Sequence, residues 1–144
     1  MVLDYTLELG ANITPSVLLA KVARVSGLQE TGSGVLKDVS SSFSISAYKE
    51  TDKWSIDVTK KEYGFIPCSC LSMRHGKGKI EQEQGERIMD SVVIELLRLC
   101  SGNVVFEFSQ SSTYVLKRIE NEIFVNPEGL DTVGIGLLKE AGLQ

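Results

Sequence analysis

The opening residues alternate between apolar and polar side chains, which predicts an initial β-strand. The apolar positions share one face of this strand and comprise Leu3, Tyr5, Leu7 and Leu9. The polar positions between them are Asp4, Thr6 and Glu8. A helix is expected next, because Thr14 can cap its first turn and Pro15 suits its first position. Gly27 supplies the expected end of this helix.

The middle of the chain shows shorter alternations that predict further strands. Residues 35–39 form a weak strand pattern, and Phe43, Ile45 and Ala47 alternate with polar residues. A similar alternation of Trp54, Ile56 and Val58 with Ser55, Asp57 and Thr59 predicts another strand, paired with the preceding one in a hairpin. Residues 63–73 form a fourth extended segment. Because Pro67 has no N–H to donate, this segment is expected at a sheet edge or an irregularity.

The clearest helical periodicity runs over residues 80–100. Its apolar stripe comprises Ile88, Met89, Val92, Val93, Leu96, Leu97 and Cys100. Alternation over 104–108, 114–118 and 123–126 then predicts a meander of three strands. The apolar spacing over residues 130–143 predicts a short helix, which three glycines weaken by about 1 kcal/mol each relative to alanine.

These elements predict an α+β fold: a largely antiparallel β-sheet with two main helices packed on it and a short C-terminal helix. With 144 residues, of which 42% are hydrophobic, the chain is expected to form a single globular domain over residues 1–144. No apolar stretch reaches the roughly 18 residues of a membrane span, and acidic residues interrupt the opening segment where a signal peptide is basic and then apolar. We therefore expect a cytoplasmic protein.

The net charge of −4 narrows the range of expected partners. Nucleic acids and anionic membranes attract positively charged surfaces, so neither is expected as a partner. A basic protein partner fits this charge better.

Candidate catalytic and metal-binding residues are few. His75 is the only histidine, and no serine lies in a GxSxG or SxxK motif. Cys68 and Cys70 lie near His75, but their spacing is not that of a zinc knuckle and no second pair follows. Carboxylates are numerous, yet the sequence alone cannot place any two across a cleft; they include Asp4, Glu8, Asp57, Glu62, Glu107 and Glu128. We predict no catalytic residue, no cofactor and no metal, and hence no enzyme.

Residues 74–79 form a short basic loop that leads into the second main helix and contains His75. Glycine and lysine before a helix N-terminus can hold an anion. The segment matches neither GxxxxGK[ST] nor GxGxxG, because Glu81 stands where the third glycine would be. An enzyme-like domain that binds a small ligand or an anion through this loop remains the alternative interpretation.

The order of several segments resembles a known family. These segments are LDYTLEL, the Thr14-Pro15 helix start, the lone Trp54, YGFIPCSCLSMR, IMDSVVIELL, SGNVVFEF and YVLKRIENEIFVN. Together they resemble the Sit-type immunity proteins of bacterial polymorphic toxin systems, over roughly residues 3–126. Those are small cytoplasmic proteins that bind and silence a toxin delivered by a sibling cell. The resemblance implies an immunity protein whose partner is a cognate protein toxin.

The second main helix offers an acidic surface for such a toxin. We expect steric and electrostatic blockade of a basic toxin domain, with contacts from exposed carboxylates at Glu81, Glu83, Glu86 and Asp90. The simpler interpretation is that these charges are the solvated face of an amphipathic helix. A homodimer formed through an exposed strand edge near Pro67 is a further alternative.

Overall fold

A computed structural model describes residues 2–31, 34–38, 42–76, 78–109 and 113–126. Within these residues the helices are α1 Pro15–Ser26, α2 Lys53–Tyr63 and α3 Lys79–Leu99. The strands are β1 Val2–Leu9, β2 Gln29–Glu30, β3 Val35–Lys37, β4 Ser44–Tyr48, β5 Ser69–Gly76, β6 Val104–Phe108, β7 Thr113–Ile119 and β8 Glu122–Val125. All eight strands pair antiparallel in one sheet of order β2-β3-β4-β5-β1-β6-β7-β8. The predicted α+β class with an antiparallel sheet is thus confirmed, whereas the predicted helix over 130–143 lies outside the described residues.

Helix α1 has the predicted ends. The hydroxyl of Thr14 accepts a hydrogen bond from the backbone N–H of Val17 at 3.4 Å, and Pro15 occupies the first turn. Gly27 adopts a left-handed conformation with φ of 71°, and its N–H donates to the carbonyl of Ala23. Local capping chemistry therefore fixes both ends of this helix.

The apolar face of the sheet packs against α1 and α3. Residues that face each other across β5, β1 and β6, such as Leu71, Leu7 and Phe106, are completely buried. Helix α3 adds Met89 and Val93 to the same core. Because side chains alternate along β1, its polar residues lie on the opposite face of the sheet. The core therefore occupies one face only.

The segment predicted as a strand around Trp54 is instead helix α2, so that prediction and the hairpin were wrong. The Asp52 carboxylate accepts hydrogen bonds from the N–H of Ser55 at 3.1 Å and from its hydroxyl at 2.8 Å, which caps the helix start. Gly64, with φ of 79°, ends the helix. The alternation had suggested a buried strand face, but Trp54 is 73% exposed. Strand β4 pairs with β3 and β5 instead.

The extended segment that contains Pro67 was also misplaced. Pro67 precedes β5, so its missing N–H removes no hydrogen bond from the ladder, and β5 lies between β4 and β1 in the sheet interior. Among the described strands, the sheet edges are β2 and β8. The proposed dimer through an edge near Pro67 thus loses its structural basis.

The long helix and the final meander were predicted correctly. Helix α3 ends at Leu99, and Gly102 follows with φ of 94°. The buried guanidinium of Arg118, from β7, donates to the carbonyls of Leu97, Cys100 and Gly102 at the end of this helix. None of the helices in the described part of the chain has the length and apolar character needed to span a membrane.

Candidate functional site: an acidic cleft between α2 and the sheet

His75 is a core residue of β5 and does not lie in a loop as predicted. Its side chain is completely buried, with its ring stacked on that of Tyr5 at a centroid distance of 5.7 Å. Helix α3 passes so close that a Cβ added at Gly85 would lie 2.4 Å from the His75 Cβ. The ring Nδ1 lies 2.9 Å from the Gly76 carbonyl oxygen. The lone histidine therefore packs the sheet against α3.

The three cysteines are free thiols. Cys70 is buried on β5, and burial chiefly raises the pKa of its thiol to about 12. Cys68 is half-buried, with its Sγ 3.9 Å from the carboxamide oxygen of Asn12. The described residues contain no group of three or more His, Cys, Asp or Glu side chains arranged to hold a metal.

The basic segment 74–79 offers little space for an anion. Arg74 forms an ion pair with Asp4 at 2.5 Å. The Gly76 N–H donates to the Ser42 hydroxyl at 2.7 Å, and that hydroxyl donates to the Glu81 carboxylate at 3.0 Å. A Cβ added at Gly76 would overlap this carboxylate. The protein's own carboxylate therefore occupies the region at the start of α3 where an anion was expected to bind.

The four acidic residues predicted as contacts on α3 differ in their exposure to solvent. Glu81 and Glu83 are exposed, although Glu81 is held by Ser42. Glu86 is half-buried and accepts a hydrogen bond from Gln82 at 3.1 Å. The expected exposure of Asp90 was wrong, since this side chain is only 3% exposed. It lies on the same helix face as the buried residues Ile94 and Leu97, which widens the stripe that α3 buries.

The polar face of the sheet carries a cleft of about 430 Å³, bounded on one side by α2. Four carboxylates line this cleft: Glu8, Glu50, Glu62 and Glu107. Glu8 on β1 and Glu107 on β6 lie on adjacent strands, because Glu8 pairs with Val105 and Thr6 with Glu107. Glu62 comes from α2 and Glu50 from the segment before it. The fold thus brings together residues that are far apart in the sequence.

Glu8 is the most deeply placed of these carboxylates. Its side chain is only 9% exposed, and its Oε2 accepts a hydrogen bond from the Thr59 hydroxyl of α2 at 2.7 Å. Its Oε1 accepts no hydrogen bond from the described residues and is open to the cleft. Burial raises the pKa of Glu8, the Thr59 hydrogen bond opposes this effect, and the charges of Glu50 and Glu62 add to it.

Glu107 is also partly buried beside other carboxylates, but it lacks a hydrogen bond like that from Thr59 to Glu8, which would lower its pKa. Burial, followed by the charges of Glu8 and Glu62, raises its pKa from 4.5 to about 7. The carboxylate of Glu107 forms no hydrogen bond or ion pair within the described parts of the chain. Carboxyl groups with raised pKa values that share a cleft are candidates for a functional site.

Aromatic side chains form the remaining notable part of the cleft wall. Trp54 projects from the first turn of α2 and is largely exposed, while Tyr48 and Tyr63 are half-buried. Burial is the main reason why the pKa of each tyrosine hydroxyl lies above its usual range. Aromatic faces attract ammonium and guanidinium groups, as carboxylates do. The cleft is therefore suited to a cationic group that has an apolar stem.

Sequence reasoning missed this site. Glu8, Glu62 and Glu107 were recognised as carboxylates, but no local pattern indicates that β1 pairs with β6 or that α2 covers them. The only available signal was that Glu8 and Glu107 each occupy the polar face of an alternating strand.

Comparison with known proteins gives a family assignment. The family model described as SitI3-like matches residues 3–129, which is well over half of the chain. No curated protein and no solved structure matches the chain. The resemblance inferred from segment order is thereby confirmed, and the family suggests an immunity protein with a toxin partner. The chain belongs to the SitI3-like family.

Proposed function

We propose that this protein is an immunity protein that binds a cognate toxin and neutralises it by occlusion. The family match over residues 3–129 carries this proposal. The net charge of −4 and an open acidic cleft support a basic surface on the toxin as the complementary partner. Complementary charge accelerates encounter and selects the partner, while buried contacts set the lifetime of the complex.

The accessible carboxylates of α3 remain part of this proposal. Glu81, Glu83 and Glu86 can reach a bound protein, whereas the buried Asp90 acts only through the packing of the helix. Since Glu81 is already held by Ser42, Glu83 and Glu86 are the stronger candidates for direct contact.

The competing proposal, anion binding through residues 74–79, is weaker. Arg74 is paired with Asp4, and the Glu81 carboxylate lies over Gly76. An anion would have to displace the carboxylate of Asp4 and that of Glu81.

Co-expression provides the functional test. The protein encoded beside this gene is the toxin candidate, and it should arrest growth when expressed alone and fail to do so when this protein is co-expressed. The purified pair should also elute as one complex in size-exclusion chromatography with light scattering. Growth arrest that persists under excess immunity protein, with no complex detected, would refute the proposal.

A further inference from the structure

We infer that the cleft between α2 and the sheet receives a basic side chain, arginine or lysine, from the toxin. This inference rests on the proposed function and assigns the contact to a surface other than α3. It places Glu8, Glu62 and Glu107 around the incoming cation and Trp54 beside its stem.

The charge balance of the cleft supports a cationic occupant. Four of the described residues that line the cleft are glutamates, and none of these lining residues is basic. Lys117, which lies on the same face of the sheet, has its Nζ 4.6 Å from the centroid of the Tyr114 ring and 5.6 Å from that of Tyr63. This lysine is held over aromatic rings and forms no ion pair with the carboxylates among the described contacts. No basic side chain of the described structure therefore pairs with the cleft carboxylates, and an external cation can do so.

The buried Glu8 carboxylate supplies an independent indication. Burial of a carboxylate is costly unless hydrogen bonds or an opposite charge compensate for it. Glu8 receives one hydrogen bond from the described residues, from Thr59 to Oε2, and its Oε1 is not enclosed by the protein and is open to the cleft. Because Glu8 also lines the cleft, a donor that enters the cleft can satisfy this oxygen.

The dimensions and walls of the cleft suit a long basic side chain. Its volume of about 430 Å³ lies within the range of about 300–1,000 Å³ that is typical of ligand clefts. The exposed indole of Trp54 and the ring of Tyr63 can contact an aliphatic stem or stack on a guanidinium group. A small inorganic cation would leave these aromatic surfaces unused.

The main test compares two double variants, each of which replaces two carboxyl groups with amides. Glu62→Gln with Glu107→Gln removes two cleft carboxylates, whereas Glu30→Gln with Glu122→Gln removes two exposed carboxylates from the outer strands β2 and β8. Isothermal titration calorimetry with the purified toxin candidate should show affinity reduced about 10- to 100-fold for the cleft variant. The control variant should remain within about threefold of the wild type. Thermal unfolding verifies that each variant is folded.

The single tryptophan provides a second readout that does not need the toxin. Trp54 fluorescence should change saturably on titration with N-acetyl-arginine amide in the wild type and the control variant, and much less in the cleft variant. The neutral analogue N-acetyl-citrulline amide should produce no such change. This titration detects the cation-binding property of the cleft directly.

The outcomes separate the inference from the proposed function. If the wild type and the folded cleft variant bind the toxin equally well, the inference is wrong and the immunity function stands. If the wild type neither binds nor neutralises the toxin candidate, the proposed function fails, and the toxin contact in the cleft fails with it. Binding lost only in the cleft variant, together with the arginine-specific change in Trp54 fluorescence, supports both.

Discussion

Replacing Glu107 with glutamine should stabilise the folded protein above neutral pH. The substitution keeps the size of the side chain and removes a charge that the cleft disfavours through burial and through the neighbouring Glu8 and Glu62. A carboxylate used for binding thus costs folding stability when no partner is present. This is the trade-off expected when a site serves function ahead of stability.

The magnitude follows from the pKa of Glu107. Folding raises this pKa from 4.5 to about 7, and one pKa unit corresponds to about 1.4 kcal/mol, so the upper limit is about 3.4 kcal/mol. The side chain is only half-buried, and solvent screening reduces this value to about 1–2 kcal/mol. For a domain of this size, such a gain raises the melting temperature by roughly 2–8 °C.

The pH dependence identifies the cause. In the folded state Glu107 holds its proton up to about pH 7, whereas in the unfolded state it loses it near pH 4.5. The unfolded state therefore binds fewer protons between these values, so wild-type stability falls as pH rises through this window and levels off above it. The gain from Glu107→Gln should consequently be full at pH 8 and small near pH 4.5.

Urea unfolding at pH 8 and pH 5 measures this difference. Glu122→Gln, which changes an exposed carboxylate on β8, is the matched control and should shift the unfolding free energy by less than about 0.5 kcal/mol. A Glu107→Gln variant that is no more stable than the wild type at pH 8, or equally stabilised at both pH values, would refute the conclusion that folding raises the pKa of Glu107.

Three further predictions concern the packing and capping that support the cleft. Gly85→Ala should destabilise the protein by at least about 1–3 kcal/mol in urea unfolding, since its Cβ would overlap His75; an unchanged midpoint would contradict the close packing of α3 on β5. Asp52→Ala should cost about 1 kcal/mol by removing the cap of α2, whereas Asp52→Asn should cost less because it retains a capping oxygen. In mass spectrometry after iodoacetamide treatment of the folded protein, Cys68 should be alkylated before Cys70, whose thiol is buried and has a raised pKa; the reverse order would show that β5 is more accessible than described.

The parts of the fold that were predicted correctly are those in which local chemistry and burial agree. At α1, the Thr14 cap, the proline and the Gly27 stop all mark the same helix, whose residues Leu18 and Val22 are buried at helical spacing. Strand β1 was equally clear, because Tyr5, Leu7 and Leu9 on one face are completely buried and the residues between them are polar. Helix α3 was predicted within a residue of its observed ends, since most of its apolar stripe faces the core.

The predicted secondary structure was wrong where the apolar residues of a segment are not buried. In α2, the alternating Trp54, Ile56 and Val58 suggested a strand, but none of these residues is buried and the Asp52 cap determines the local structure. The helix lies on the polar face of the sheet, where it buries mainly Thr59 against Glu8. Because this helix buries so little, its apolar residues do not form the broad buried stripe that identifies α3.

The same weak packing explains why the cleft exists and why the sequence concealed it. A helix with a broad apolar face would have closed onto the sheet, whereas α2 contacts it through polar groups such as Thr59 and leaves the carboxylates beside it open. Glu8 and Glu107 become neighbours only through the pairing of β1 with β6, which joins segments about one hundred residues apart. The sequence does record that both are acidic residues on polar strand faces, an arrangement that usually means simple solvation. What distinguishes them is the nearly complete burial of Glu8 and the raised pKa of Glu107, and both properties arise only when the sheet and α2 come together.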